Sequence, residues 1–234
     1  MATSIVKVVV TREAGMNDSL IELLPPGAIV DEVPLTRTVY LDPDEVRREL
    51  AASSAYETFV ALVVTSERSV RYVDLAFAAS SPDVEIYSVG PVTTDALVAH
   101  DIYVTRESDG TADTLANYIT TGPVLLLGAR AMRTELASSL RAKGLEVVAV
   151  ACYETIGVDL SPGGAQRVRD ADVVFIGAPS AWSVARELVA SATWVVVPGS
   201  STAADVRRDH DRVIEGWGAD LRTRLAELSH APEA

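Results

Sequence analysis

The chain has 234 residues with a formal net charge of −13, and its 48% hydrophobic and 23% charged content is that of a globular protein long enough for one large or two modest domains. The acidic balance argues against a nucleic-acid binder, which needs a basic face, and no apolar run reaches the roughly 18 residues that a spanning helix requires, so no membrane partner is expected. A single cysteine, Cys152, cannot form an internal disulfide, which fits a cytoplasmic location and a thiol packed in an apolar strand.

The first apolar run is interrupted by Lys7 and closed by Arg12 and Glu13, unlike a secretory signal. Ser4 to Val10 reads as a strand. Glu13 to Leu24 reads as a helix with Leu20, Leu23 and Leu24 on one side, stopped by Pro25-Pro26-Gly27. An extended passage follows from Ala28 to Leu41. Asp42-Pro43-Asp44-Glu45 has the form of a helix start, with Asp at the cap and Pro in the first helical position. Phe59 to Val64 is a continuous apolar strand of the kind buried on both faces of a parallel sheet, and Thr65 to Val70 opens a helix. Val84 to Val89 is a strand, followed by a helix that Gly90-Pro91 opens. Ile102 to Thr105 is a short strand, Thr111 to Tyr118 a helix, Pro123 to Leu127 a strand and Arg130 to Lys143 a helix.

After the helix-ending Gly144, the strand Leu145 to Val150 does not turn but runs on through Tyr153 and Thr155 to Val158. A short helix follows Ser161-Pro162. Asp172 to Ile176 and Thr193 to Val197 are strands, each followed by a helix, opened by Pro179 and Gly199. Val213-Ile214 is a short strand, Gly218 to Leu228 the last helix, and residues 229–234 a frayed tail. Strand and helix alternate almost throughout, which predicts an α/β protein with parallel sheets flanked by helices.

The chain repeats itself weakly. Residues 61–70 resemble 173–182, residues 88–97 resemble 197–206, and the first 33 residues resemble 122–150. With the two long extended passages taken as crossings, two α/β lobes are expected. One is discontinuous (1–34 plus 157–234), the other continuous (38–152), and a two-stranded connector (33–40 and 150–157) joins them.

Two G-x-x-T loops, Gly90 to Thr93 and Gly199 to Thr202, follow apolar strands and open helices. Free N–H groups and the positive end of the dipole gather there, which suits carboxylate binding; the alternative is a threonine cap worth roughly 1 kcal/mol. Thr65-Ser66 and Ser180 lie at two further strand-to-helix turns, with capping as the alternative. Arg12 follows the first strand, at the carboxyl edge where α/β sheets bind ligands, and can equally be a surface arginine. Tyr153 can donate a proton if it faces a cleft, or pack as a strand tyrosine. Trp182, Trp194 and Trp217 read as packing residues. His100, His210 and His230 have no metal-ligand spacing, and no dinucleotide fingerprint, P-loop or G-x-S-x-G motif is present, so neither a metal nor a cofactor is expected.

Together these pieces resemble the uroporphyrinogen-III synthase family. The matching segments are Val-Thr-Arg at 10–12, Thr-Ser-x-x-Ser-Val at 65–70, Val-Gly-x-x-Thr at 89–93, Gly144 with Tyr153-Glu154-Thr155, Ala178-Pro179-Ser180-Ala181, and Gly199-x-x-Thr202-Ala203. The resemblance implies a cofactor-free lyase. Such an enzyme takes the linear tetrapyrrole hydroxymethylbilane, removes water, and closes the ring with the last pyrrole inverted to give uroporphyrinogen III, with the substrate held between the lobes. It further implies Tyr153 as the group assisting hydroxyl departure, and Arg12, Thr65, Ser66, Gly90, Thr93, Arg130, Ser180, Gly199 and Thr202 as substrate-binding residues. Arg37 and Arg68 are further local cations for the polycarboxylate. A monomer is expected, with the upstream deaminase as its partner. The chain departs from the family at Gly177-Ala178, where Thr-Ser is usual, and that departure favours the competing reading of a nonenzymatic tetrapyrrole- or small-anion-binding protein.

Overall fold

The computed structural model describes residues 6–53, 58–132, 134–217 and 221–228. Its strands are β1 (Lys7–Val10), β2 (Ile29–Glu32), β3 (Thr36–Tyr40), β4 (Phe59–Val64), β5 (Ser80–Ser88), β6 (Arg106–Glu107), β7 (Val124–Ala129), β8 (Val147–Gly157), β9 (Val173–Phe175), β10 (Trp194–Val197) and β11 (Val213–Glu215). Its helices are α1 (Asp18–Ile21), α2 (Pro43–Ser53), α3 (Val73–Phe77), α4 (Pro91–Val98), α5 (Ala112–Tyr118), α6 (Glu135–Ala142), α7 (Pro162–Arg169), α8 (Pro179–Ala185), α9 (Ser200–Val206) and α10 (Leu221–Leu228). The chain divides into two compact units, Met1–Arg37 with Ile156–Ala234, and Thr38–Thr155.

The first unit holds a five-stranded parallel sheet in the order β11-β10-β9-β1-β2. Its central strands β1, β9 and β10 are apolar on both faces, because helices cover both. Val9, Val174, Val195 and Val197 pack with residues of α7, α8 and α9, including Val168, Trp182 and Val206. Val8, Val10, Phe175 and Val196 pack with Leu20, Leu221 and Leu225 on the other side.

The second unit holds a six-stranded sheet in the order β3-β8-β7-β4-β5-β6. The pairs β4–β5, β4–β7, β5–β6 and β7–β8 are parallel. β3 is the exception: Leu35 pairs with Val158 and Leu41 with Cys152, so the residue numbers run in opposite directions and this edge is antiparallel. The chain leaves the first unit within β3 and returns to it within β8. β4 alternates between two cores, Leu62 and Val64 facing one, Ala61 and Val63 the other. With β3 set aside, the two sheets have the same spatial order. β2, β1, β9, β10 and β11 of one correspond to β8, β7, β4, β5 and β6 of the other, and the chain enters each series at a different place. The weak internal repeats fall on this correspondence: 61–70 and 173–182 begin on β4 and β9, and 88–97 and 197–206 begin at the ends of β5 and β10.

Several local expectations change. The helix expected over 13–24 shrinks to α1, since Gly15 sits at φ 79 and turns the chain before it can start. Residues 28–41 form two strands, broken around Pro34. The turn after Thr65-Ser66 is a 3₁₀ turn over Glu67–Tyr72 that leads into α3. The strand expected at 102–105 lies later, at β6, and α6 starts at Glu135, leaving Arg130 in the preceding turn. The start of the first strand (residues 4 and 5), residues 218–220 of the last helix and the tail at 229–234 lie outside the described residues.

Candidate functional site

Doubly wound sheets bind ligands outside the carboxyl ends of their strands, where the strand order reverses. In the second unit that place lies between β4 and β7. Thr65 follows β4 and its Oγ1 donates to the carbonyl of Leu127 at 2.9 Å, which fixes the hydroxyl at the switch point. Ser66 caps the 3₁₀ turn, accepting from the Arg68 N–H at 3.3 Å, so its side chain is spent on local structure. A Cβ at Gly128 would collide with the Thr65 hydroxyl and come within 2.8 Å of Met132 Cε, so a larger residue there requires these side chains to shift.

β8 carries a bulge opposite this point. Gly128 pairs with Ala151, but Ala129 pairs with Tyr153, so Cys152 is the extra residue. The bulge breaks the strand's alternation and buries Cys152 and Tyr153 in succession. Tyr153 thereby lines a pocket of about 520 Å³ together with Thr65, Val89, Thr111, Ala129 and Met132. The Tyr153 hydroxyl has no hydrogen-bond partner among the described residues, and the Arg68 guanidinium carbon stands 5.9 Å from its ring centroid. Asp113 and Glu135 are the charged groups among the described lining residues. Arg130 is elsewhere engaged, its guanidinium 3.0 Å from Glu45 and 3.4 Å from Glu154.

Gly90 is the N-cap of α4 and Gly199 the N-cap of α9, both in fully extended backbone (φ 169 and −173). Thr93 and Thr202 therefore occupy the third helical position in each case, and neither is the cap. Both are buried, at 4% and 3% exposure, and neither hydroxyl has a hydrogen-bond partner among the described residues. The capping alternative fails for both threonines because glycine already occupies the capping position.

In the first unit the strand order reverses between β1 and β9. Thr11 is buried there, its Oγ1 donating to the carbonyl of Phe175. Arg12, the next residue, has no ion pair among the described residues. Its guanidinium carbon lies 5.9 Å from the centroid of the Trp217 ring. Gly177, at the end of β9, completes the cluster: a Cβ there would sit 3.7 Å from Arg12 Cγ and 3.8 Å from Trp217 Cη2. Ser180 is the second residue of α8, whose N-cap Ala178 makes no side-chain cap.

A family model described as Uroporphyrinogen-III synthase HemD matches residues 21–214. The chain belongs to the uroporphyrinogen-III synthase family. Among solved structures, it is similar to uroporphyrinogen-III synthetase from Helicobacter pylori, with TM-score 0.63 and 15% identity over 95% of this chain and 99% of that one. It is also similar to a mutant uroporphyrinogen III synthase from the extremely thermophilic bacterium Thermus thermophilus, with TM-score 0.60 and 15% identity over 95% and 96%. At this identity the two structures speak for the fold. No curated protein matches the chain in sequence.

In this member of the uroporphyrinogen-III synthase family, part of the pocket lining carries no motif of its own. Gly110, Thr111, Ala112 and Asp113 line the pocket, and hydrogen bonds order the turn that precedes them. Asp109 accepts from the Thr111 N–H and hydroxyl and from the Thr114 hydroxyl, and the Thr111 bonds hold its carboxyl below the usual range. The signal was the Asp-Gly-Thr turn, which read as a helix start alone. Cys152 is inert where it sits, since burial pushes its thiol up to about 12. No group of His, Cys, Asp and Glu suited to a metal ion, and no helix long and apolar enough to cross a membrane, is found among the described residues.

Proposed function

We propose that this chain is a lyase that closes hydroxymethylbilane to uroporphyrinogen III, with loss of water and inversion of the last pyrrole ring. The observation that carries the reading is Tyr153. A bulge aims it into a pocket beside Thr65, and its hydroxyl is left without a partner among the described residues.

The pocket's chemistry suits a pyrrole ring better than a carboxylate. Its walls include Val89, Leu115, Ala129, Met132 and Leu136, its polar groups include hydroxyls, and its described charges are negative. A pyrrole ring whose hydroxymethyl substituent loses its hydroxyl fits that description, and the pocket's volume lies within the usual range for ligand sites. Tyr153 would give its phenolic proton to the departing hydroxyl, releasing water and leaving an electron-poor ring that the substituted carbon of the last pyrrole attacks. The spiro intermediate then rearranges, and the proton released on rearomatisation restores the phenol. Positioning of the two chain ends would supply much of the rate.

The substrate's carboxylates need other partners. Arg12, Thr93, Thr202, Ser180, the Val92 N–H after Gly90-Pro91 and the N–H groups after Gly199 are the proposed binding groups, with Thr65 holding the pocket's shape. Arg130 joins them only by leaving Glu45 and Glu154. We further infer that the two units are the lobes (1–34 plus 157–234, and 38–152), that β3 and β8 form their connector, and that the enzyme works as a cytoplasmic monomer fed by the upstream deaminase.

The test is Tyr153→Phe. Turnover is expected to fall by about 10²- to 10⁴-fold with the circular dichroism spectrum unchanged, the size expected for a lost proton donor. Unchanged kcat would remove Tyr153 from the mechanism.

A further inference from the structure

Arg12 is unusual among the arginines at the carboxyl ends of these sheets. In a chain of net charge −13, its guanidinium has no carboxylate partner among the described residues, whereas its counterpart Arg130 contacts two. What stands beside Arg12 is an aromatic face, that of Trp217, at 5.9 Å and within the range of a cation–π contact. Trp217 is itself held by Phe175, ring centroids 6.3 Å apart with the planes at 52°.

The indole N–H of Trp217 is buried with no hydrogen-bond partner among the described residues. Trp182 differs, its Nε1 donating to Asp209 at 3.3 Å. A buried orphan donor is unfavourable, and a phenylalanine would fill space there without one. Trp217 packs against the core beside Phe175, but a phenylalanine would do that without an orphan donor, so what sets the indole apart is the face turned to Arg12.

Gly177 belongs to the same arrangement. The space at its Cα admits a Cβ at ordinary contact distance from both Arg12 and Trp217, and a branched side chain such as threonine would press against one or the other. The bare Cα leaves Arg12 and Trp217 free to lie side by side.

We infer that Trp217 is a positioning residue for substrate binding. It holds the Arg12 guanidinium at the carboxyl end of β1 as a cation for a substrate carboxylate, in place of the hydroxyl side chains that residues 177 and 178 lack. The inference rests on the substrate reading above. Arg12 touches the carboxylate; Trp217 acts through Arg12.

A double-mutant cycle tests it, with hydroxymethylbilane generated in place by the deaminase. Trp217→Leu is expected to raise KM about fivefold and leave kcat within about twofold, since the contact serves binding and not the bond changes. Trp217→Phe, which keeps a weaker π face and the packing on Phe175, is expected to raise KM about twofold and carries the test if the leucine variant does not fold. In an Arg12→Gln background either substitution should add nothing. Calorimetric binding of mellitate, a benzene polycarboxylate, gives the same comparison without turnover. Absence of type III product from the wild type would strike the proposed activity and leave the mellitate cycle to judge this inference. Additive effects of Arg12 and Trp217, in KM or in mellitate affinity, would overturn it, as would an unchanged KM in Trp217→Phe and Trp217→Leu.

Discussion

Tyr153 faces a pocket because β8 carries one residue more than its partner strand. Without the bulge at Cys152, strict alternation would place residues 151 and 153 on the face opposite 152, and the phenol would follow Ala151. The extra residue is a small apolar thiol that can be buried without a partner, and burial lifts its titration to about 12. Two outcomes follow for Cys152. An aromatic disulfide reagent at mildly alkaline pH should leave the native protein unlabelled and label one thiol after denaturation, and Cys152→Ala should keep turnover within about twofold. Rapid native labelling would show that the strand opens at the bulge. The linkage has a definite sign. The folded-state value lies above the thiol's ordinary one, so its contribution to stability is complete below about pH 9 and is lost as pH rises toward about 12.

At the scale of elements, the loops after the strands carry the site, and their spacing is set by glycines. Gly128→Ala tests this most sharply. The added methyl meets the Thr65 hydroxyl and Met132, and relief requires the β4–β7 switch point to open. A loss of about 1–3 kcal/mol is expected, which for a chain of this size lowers Tm by about 3–10 °C, with kcat/KM reduced as Thr65 moves. A Tm indistinguishable from wild type would mean the contact relaxes at no cost. The carboxyl-end loops themselves were legible in sequence, because glycine, proline and hydroxyl residues follow apolar strands at Thr65, Gly90, Pro179 and Gly199. The weak repeats also found their structural match in the common strand order of the two sheets. Less legible was what depends on register. The bulge needs β7 beside β8 to be seen at all, and the Gly128 contact joins residues far apart in the chain. Nor could sequence distinguish Arg12 from Arg130. Both follow the end of a corresponding strand, and only the three-dimensional neighbours, an aromatic ring for one and Glu45 with Glu154 for the other, set them apart.

At the scale of the whole molecule, the charge of −13 works against a polycarboxylate substrate before contact is made. The Debye length falls from about 30 Å at about 0.01 M ionic strength to about 8 Å at about 0.15 M, so salt hides most of the protein's charge from an approaching substrate while leaving close pairs in place. The expected outcome is that kcat/KM for hydroxymethylbilane rises over that range. A steady fall would mean that local cations such as Arg12 dominate encounter. The central claim is more directly tested by the identity of the product. Hydroxymethylbilane generated in place should be converted by the folded protein mainly to the type III isomer, separated from type I by chromatography after oxidation, while the control without protein gives type I. Type I alone, from protein shown to be folded, would contradict the account and leave a protein that binds tetrapyrroles or small anions without closing them.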